Sequence, residues 1–187
     1  MSIDYWVYLK QRDLFSVKSF EEYCNSIGLC ITMDPSVDLS AVSGYVPIRF
    51  TDKRFSNVNT KGDFLSGFEM YFHEYHEEIQ PQKKPVGFFR KLFPPKPEKE
   101  SSFSLATRDS RWMIALNCSS ADSFEIFLAY AFGSYLIKCG GVFDDPQSGR
   151  FYDNSKAMET EIAANLEELL RQAADGELIM HPFESWQ

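Results

Sequence analysis

Apolar and polar positions along the chain repeat with two different periods, and these periods predict its strands and helices. In GFEMYFHEY, at 67–75, apolar Phe68, Met70 and Phe72 alternate with more polar neighbours, as in a strand with one buried face. Pro47 restricts the segment YVPIRF to a sheet edge or a bulge, because proline has no backbone N–H to donate. Further strands are predicted in DYWVYLK at 4–10, LCITMD at 29–34, YVPIRF at 45–50, FSLATR at 103–108 and RWMIALNC at 111–118.

Three segments show the period of a helix. In SFEEYCNSIGL, Ser19 and Glu22 form the pattern of a capping box, and Gly28 is suited to the left-handed residue that ends a helix. Asp122 is placed to cap a second helix, whose apolar residues occupy most of its sides. A third, amphipathic helix is predicted at about 155–174, with glutamates on its exposed side.

The stretch GVFDDPQSGRFYD, at 141–153, predicts a β-hairpin. Pro146 and Gly149 stand early and late in its turn, where each residue type favours the backbone angles required. The preceding Gly140 and Gly141 are expected to end the second helix. The stretch also has a glycine at the sixth place of a possible calcium loop, but Pro146 and Ser155 stand where oxygen ligands are needed, so the hairpin is the favoured interpretation.

The order of these elements predicts an α+β fold. Strands with one early helix are followed by further strands and then by helices, which is typical of helices packed on one face of an antiparallel sheet. We predict a single domain over 1–187 with a mostly antiparallel sheet of five to seven strands and two or three helices on one face. A length of 187 residues suits one domain with one core.

A Pro-rich basic segment at about 80–101 interrupts this pattern. Between 81 and 99 it holds five prolines, six basic residues and one acidic residue, so it carries +5 while the rest of the chain carries −13. An exposed loop is predicted, because the prolines forbid a long helix or a central strand. Three interpretations are open for its aromatic residues Phe88, Phe89 and Phe93: packing back on the domain, contact with a partner or second copy, and attachment to an anionic membrane surface.

Composition and charge narrow the function classes. Hydrophobic residues make up 44% of the chain and the net charge is −8, which indicates a folded acidic protein. Nucleic acid is a poor partner, since the acidic domain repels phosphates. The first residues lack the pattern of a secretory signal, and the apolar stretch 124–137 is shorter than the roughly 20 residues of a membrane span. We therefore expect a cytoplasmic protein without a transmembrane segment.

Motifs of catalysis and metal binding do not emerge from the sequence. The four cysteines lack CxxC spacing and are expected to be buried thiols, and no nucleophile elbow or phosphate-binding glycine loop is present. His73 and His76 point to opposite faces if they lie on a strand, which disfavours a shared metal. We predict no cofactor, no metal ligand and no catalytic residue.

The segment FEIFLAYAFGSYLIKCGGVFDDPQSGRFYD, at 124–153, resembles small bacterial immunity proteins of polymorphic-toxin, contact-dependent or type VI secretion systems. In those proteins an apolar helix runs into Gly-Gly, a short strand, Asp-Pro and a glycine turn. The resemblance covers about 30 residues. It implies a cytosolic, non-catalytic antidote that binds and blocks a cognate toxin.

An acidic, aromatic surface suits a basic protein toxin, because opposite potentials speed encounter and aromatic side chains anchor interfaces. Two alternatives are an interaction or scaffold module that uses the basic loop, and an enzyme with carboxylates brought together from distant positions. The predicted partner contacts are Asp144, Asp145, Phe151, Tyr152, Asp153, Phe88, Phe89 and Phe93.

Overall fold

The computed structural model describes residues 2–55, 63–76, 101–178 and 180–186. Apart from Ser101, the predicted basic loop lies outside these residues, as do its Phe88, Phe89 and Phe93. The elements in chain order are β1 (Ser2–Leu9), α1 (Val17–Ser26), β2 (Ile31–Met33), β3 (Gly44–Phe50), a 3-10 turn (Lys53–Phe55), β4 (Phe64–Glu74), α2 (Ser102–Thr107), β5 (Trp112–Ser119), α3 (Ser123–Lys138), β6 (Val142–Asp145), β7 (Arg150–Tyr152), α4 (Ser155–Asp175) and β8 (His181–Pro182).

The strands form one antiparallel sheet in the order β2-β3-β4-β5-β1-β6-β7, and β8 pairs with the start of β4. At the centre, β1 pairs with β5 along all eight of its residues, from Ser2 opposite Ser119 to Leu9 opposite Trp112. On its other side, β1 pairs with β6. The predicted α+β class and the mostly antiparallel sheet are confirmed, with seven strands in the main sheet and β8 as the eighth.

The apolar helix α3 is the centre of the helical layer. It contacts the sheet at β4, β5, β1 and β6, and it also contacts α1 and α4. Eleven of its sixteen residues are buried, which agrees with the predicted burial on most sides. Asp122 caps its first turn, accepting hydrogen bonds from the backbone N–H groups of Phe124 and Glu125 at 2.8 and 3.2 Å.

Aromatic side chains join α3 to the sheet at both of its ends. Near the start, Phe124 lies 4.7 Å from Phe64 and 5.3 Å from Phe50 between ring centroids. Toward the other end, Phe132 packs on Phe20 of α1 and Phe68 of β4, with centroids 5.0 and 5.2 Å apart. These rings lie at the separations at which aromatic pairs attract each other beyond their buried area.

Gly133 lets α3 approach β6 closely. A Cβ atom built at this position would lie 2.2 Å from Cδ2 and 2.4 Å from Cε2 of Phe143, inside the contact distance of carbon atoms. Phe143 is fully buried, and its ring stacks on Tyr5 of β1 with centroids 5.4 Å apart. The absence of a side chain at Gly133 therefore fixes the distance between the helical layer and the sheet.

Two predicted local structures were wrong. The segment FSLATR is not a strand: residues 102–107 form α2, because Ser101 accepts a hydrogen bond from the backbone N–H of Ser104 at 3.0 Å and caps a helical turn. Helix α1 begins earlier than predicted, since Ser16 is its N-cap and forms the capping box with Ser19. The side chains of Ser16 and Ser19 each accept the other residue's backbone N–H, so the helix starts at Val17.

Of the other local expectations, those for the helix-ending glycines are confirmed. Gly28 and Gly140 follow α1 and α3 with φ angles of +81° and +91°, the left-handed region that glycine tolerates. The segment YVPIRF was expected at a sheet edge or bulge, but β3 lies between β2 and β4; only Pro47 itself lies beyond the stretch that pairs with β2, which covers Ile48–Phe50. Of the cysteines, Cys24 and Cys118 are buried, but Cys30 is exposed, contrary to the expectation of buried thiols.

Among the described helices, none has both the length and the apolar character needed to cross a bilayer.

We expect Gly133→Ala to lower the free energy of unfolding by about 1–3 kcal/mol, because the added methyl group overpacks the contact with Phe143. Urea denaturation measures the change. The matched control is the same substitution in a Phe143→Leu background, where the smaller neighbour leaves room and the cost should fall. An equal cost in both backgrounds would show that the two positions do not interact.

Candidate functional site

The β6–β7 hairpin carries four of the predicted partner contacts and Asp153 follows it, and the structure places Asp145 inside the hairpin. The Asp145 side chain accepts hydrogen bonds from the backbone N–H groups of Gln147 and Ser148 at 3.0 and 3.2 Å, and from the Tyr130 and Ser148 hydroxyls at 2.5 and 2.8 Å. Only 3% of the residue is exposed. Its carboxylate therefore organises the turn and docks it on α3, and Asp145 presents almost no surface to a partner.

Tyr152 also points into the helical layer. It is buried, and its hydroxyl donates to the Glu161 carboxylate of α4 at 3.0 Å. Burial raises the pKa of Tyr152 above its ordinary value, and the bond to Glu161 acts in the same direction. Tyr152 holds the hairpin on α4 and, like Asp145, presents little surface to a partner.

The remaining hairpin residues lie elsewhere. Asp144 and Phe151 are directly opposite each other in the β6–β7 register and share the sheet face away from α3. Both are half-buried, and the Phe151 ring contacts that of Phe103 on α2, with centroids 5.4 Å apart. Asp153 is exposed in the link to α4. The structure thus divides the predicted contacts between two faces and a loop.

The sheet face that carries Asp144 forms ordered rows across the strands. One row runs from Asp144 of β6 through Trp6 of β1 and Ala115 of β5 to Tyr71 of β4, with each residue paired to the next. Because side chains alternate along a strand, all four project from the same side of the sheet.

The neighbouring row is polar. It runs from Asp4 through Asn117 to Glu69, again with direct partners in the register. Glu69 is exposed and accepts a hydrogen bond from the Tyr71 hydroxyl at 3.1 Å, which raises the pKa of Tyr71 and links the two rows. Tyr45 of β3 is the register partner of Glu69 and ends this row. We name the two rows together the acidic aromatic face, formed by Asp4, Trp6, Glu69, Tyr71, Ala115, Asn117 and Asp144.

The charge of this face is one-sided. It holds the carboxylates of Asp4, Glu69 and Asp144. Among the strand positions that the structure describes on this side of the sheet, Arg49 is the one lysine or arginine, and its Nε donates to Asp63 at 2.7 Å. That ion pair leaves the three carboxylates without an unpaired lysine or arginine among the described strand positions of this side, which also holds His73 and His181. Such an arrangement attracts a cationic ligand.

Helix α2 lies at one end of the sheet, on the side that carries the acidic aromatic face. Its Phe103 ring contacts Tyr8 of β1 at a centroid distance of 5.4 Å, and Tyr8 in turn packs on Tyr75 at 4.8 Å. Burial raises the pKa of Tyr8, and the Asp144 carboxylate adds to the shift, which agrees with its position on this side of the sheet. The main helical layer of α1, α3 and α4 is on the opposite side.

Sequence reasoning did not identify Asp4, Trp6 and Asn117 as functional candidates, and it saw Glu69 and Tyr71 only as the wetter side of a strand. The available signal was the period of two in β1, β4 and β5, which assigns these positions to one side of each strand. Their convergence depends on the order of the strands, because β1 is central and lies between β5 and β6. That order is not encoded in any local pattern.

A metal site has no support in the described residues. His73 lies on β4, His76 follows the end of that strand, and the nearest carboxylate contact of His76 is Glu74 at 3.6 Å. Glu77 and Glu78, which the sequence places beside them, lie outside the described residues. No group of three His, Cys, Asp or Glu side chains in the described part of the chain is arranged to hold a metal ion.

An open pocket near the end of β4 bears on the enzyme hypothesis. It is lined by Tyr75, His76, Arg108, Asp109, Ser110 and Arg111. Its one carboxylate, Asp109, forms an ion pair with Lys10 at 3.2 Å. The carboxylates whose pKa burial raises, Asp144 and Glu125, are not among its lining residues. The pocket therefore does not combine a concave site with a perturbed acid.

Comparisons with models of protein families, with curated proteins and with solved structures found no match to this chain.

We expect Asp145→Ala to lower the free energy of unfolding by about 1–3 kcal/mol, because the substitution leaves the turn N–H groups and the Tyr130 hydroxyl without their acceptor. Urea denaturation followed by circular dichroism provides the value. Asp153→Ala removes an exposed acid in the same segment and should have little effect. Equal losses in the two variants would contradict the structural role of Asp145.

The pKa of Asp144 predicts a pH-dependent effect on stability. Burial and the neighbouring Asp145 raise this pKa above its ordinary value of 3.8, so the folded protein holds the proton more tightly than the unfolded chain. Below the ordinary pKa both states are protonated. As the pH rises through the window between the two values, ionisation of Asp144 destabilises the folded state.

Asp144→Asn should therefore be more stable than the original chain near pH 7, and the advantage should vanish near pH 3. Urea denaturation of both proteins at the two pH values tests this. A lower stability of Asp144→Asn at neutral pH, or a difference independent of pH, would contradict the assignment.

Proposed function

We propose that this chain is a non-catalytic binding protein that neutralises a cognate basic protein toxin or effector in the cytoplasm. The observation that carries the proposal is the acidic aromatic face, where three carboxylates surround Trp6 and Tyr71 on an ordered sheet. The resemblance of residues 124–153 to small bacterial immunity proteins supplies the biological context.

The chemistry of the face supports binding to a basic protein. Tryptophan and tyrosine are enriched among the residues that dominate interface energies, because they bury a large area at a low cost in side-chain entropy. Surrounding carboxylates steer an oppositely charged partner and disfavour acidic ones. The net charge of −8 extends the same preference over longer distances, and it disfavours nucleic acid.

The rigidity of the support also favours recognition. The face is built on β4, β5, β1 and β6, which pair with one another and are packed from behind by α3. Side chains on a paired and packed sheet are already ordered before binding, so less entropy is lost when a partner docks. Such preorganisation is suited to tight inhibition of a protein by direct blocking.

The test begins with isolation of the partner from lysate of the source organism and its identification by mass spectrometry. The partner is then expressed from an inducible promoter in a cell that lacks this chain. We expect growth to stop when the partner is produced alone and to recover when this chain is co-produced. Growth arrest that co-production does not relieve would contradict the proposal, as would a partner without toxicity.

Charge reversal on the face should slow association with that partner. We expect Glu69→Lys and Asp144→Lys each to lower the association rate about three- to tenfold at low salt, because electrostatic steering is lost. The difference should shrink at high salt, where charges are screened. Surface plasmon resonance at both salt concentrations measures the rates.

Glu167→Lys is the matched control for charge. Glu167 is exposed on α4, in the helical layer on the opposite side of the sheet, and its substitution changes the net charge by the same amount. Its association rate should stay near that of the original chain. An equal loss in all three variants would indicate attraction by net charge alone and would remove the face from the proposal.

A further inference from the structure

The acidic aromatic face contains a gap between two large side chains. In the row that crosses β1, β5 and β4, Trp6 and Tyr71 stand on either side of Ala115, and both are paired with it in the register. Adjacent strands are about 4.8 Å apart, so the Cα atoms of Trp6 and Tyr71 are separated by roughly 10 Å. We name this feature the Ala115 notch, with Ala115 as its floor and Trp6 and Tyr71 as its walls.

The floor of the notch is partly exposed to solvent. Ala115 is half-buried, whereas its neighbours on the same strand, Ile114 and Leu116, have no exposed surface. Trp6 and Tyr71 are likewise half-buried. Ala115 thus contributes a single methyl group between two much larger side chains.

Acceptors for a cation stand at one end of the notch. The adjacent row places Asn117 next to Ala115 along β5, with Asp4 and Glu69 as its partners on the two flanking strands. These residues supply two carboxylates and an amide oxygen beside the aromatic walls. Arg49, the one arginine among the described strand positions on this side of the sheet, is paired with Asp63.

We propose that the Ala115 notch binds an arginine side chain presented by the basic protein partner. This inference rests on the proposed function, since it names the group that the partner inserts. A cation within about 6 Å of a ring centroid is attracted by the ring, and Trp6 and Tyr71 stand on the strands that flank Ala115, each about 4.8 Å from β5. The guanidinium is planar, so its faces stack on the rings while its edge donates hydrogen bonds to the carboxylates.

Arginine fits this site better than lysine for two physical reasons. A guanidinium is more weakly hydrated than an ammonium group, so less hydration is lost on entering a half-buried notch. It also has five N–H donors in a fixed plane, which matches acceptors lying on one side of the notch. The charge of the face, three carboxylates with Arg49 neutralised by Asp63, complements the single positive charge of the guest.

The test uses small probes and does not require the toxin. N-acetyl-arginine methylamide is titrated into protein labelled for detection of alanine methyl groups and tryptophan indole N–H groups by NMR. We expect saturable shifts of the Ala115 methyl and the Trp6 indole signals. The neutral citrulline analogue, which has the same shape without the charge, should produce no saturable shift, and the lysine analogue should bind more weakly.

Substitutions at two glutamates distinguish binding in the notch from attraction by the net charge of the protein. Glu69→Gln should weaken arginine binding about two- to fivefold, as expected for loss of one exposed ion pair. Glu167→Gln makes the same chemical change on α4 and should leave binding unaltered. Ala115→Leu fills the notch and should abolish the shift of the Trp6 signal, and if that variant does not fold, the comparison of Glu69→Gln with Glu167→Gln decides.

Several outcomes would overturn the inference: absence of saturable shifts at Ala115 and Trp6, equal binding of the citrulline or lysine analogue, or equal effects of Glu69→Gln and Glu167→Gln. These outcomes are distinct from failure of the proposed function. A toxin whose association depends on Asp144 and Glu69, combined with no binding of the arginine probe, would retain the function and reject the notch.

Discussion

Burial of α3 against the sheet is the constraint on which the rest of the structure depends. The helix is apolar on nearly all sides, so it must be enclosed, and the sheet, α1 and α4 together enclose it. Gly133 allows the close approach, because Phe143 occupies the space where a Cβ would be. The alternate residues of each strand that face α3 are committed to this contact, and they include the fully buried Val7 and Leu116.

The packing of alternate strand residues against α3 also determines which residues form the opposite side of the sheet. Because successive side chains alternate, the residues not used against α3 form rows on the other face. Those rows contain Trp6, Tyr71 and three carboxylates, and α2 contacts this side at one end of the sheet, through Tyr8 and Phe151. An ordered surface with aromatic and acidic groups is thus a consequence of how the core is filled.

The hairpin illustrates how adjacent acids acquire different roles. Asp145 faces the helical layer, where Tyr130 and the turn N–H groups donate to it, while Asp144 faces the other side beside Trp6. One carboxylate holds the turn in place and the other contributes charge to the acidic aromatic face. Asp144 and Asp145 are adjacent in the sequence, and both were predicted as partner contacts. Only Asp144 lies on the acidic aromatic face.

The sequence by itself determined the α+β class, the β6–β7 hairpin, the burial of α3 and the acidic charge, because these depend on local periodicity, turn residues and composition. It misassigned residues 102–107, where a serine cap outweighed an alternating pattern. Only the tertiary structure decided that Asp4, Trp6, Glu69, Tyr71 and Asn117 share one surface. These residues share a surface because β1 lies beside β5 in the sheet, although the two strands are far apart in the sequence. Pairing of such distant segments depends on enclosure of the whole core, and no short sequence segment specifies it.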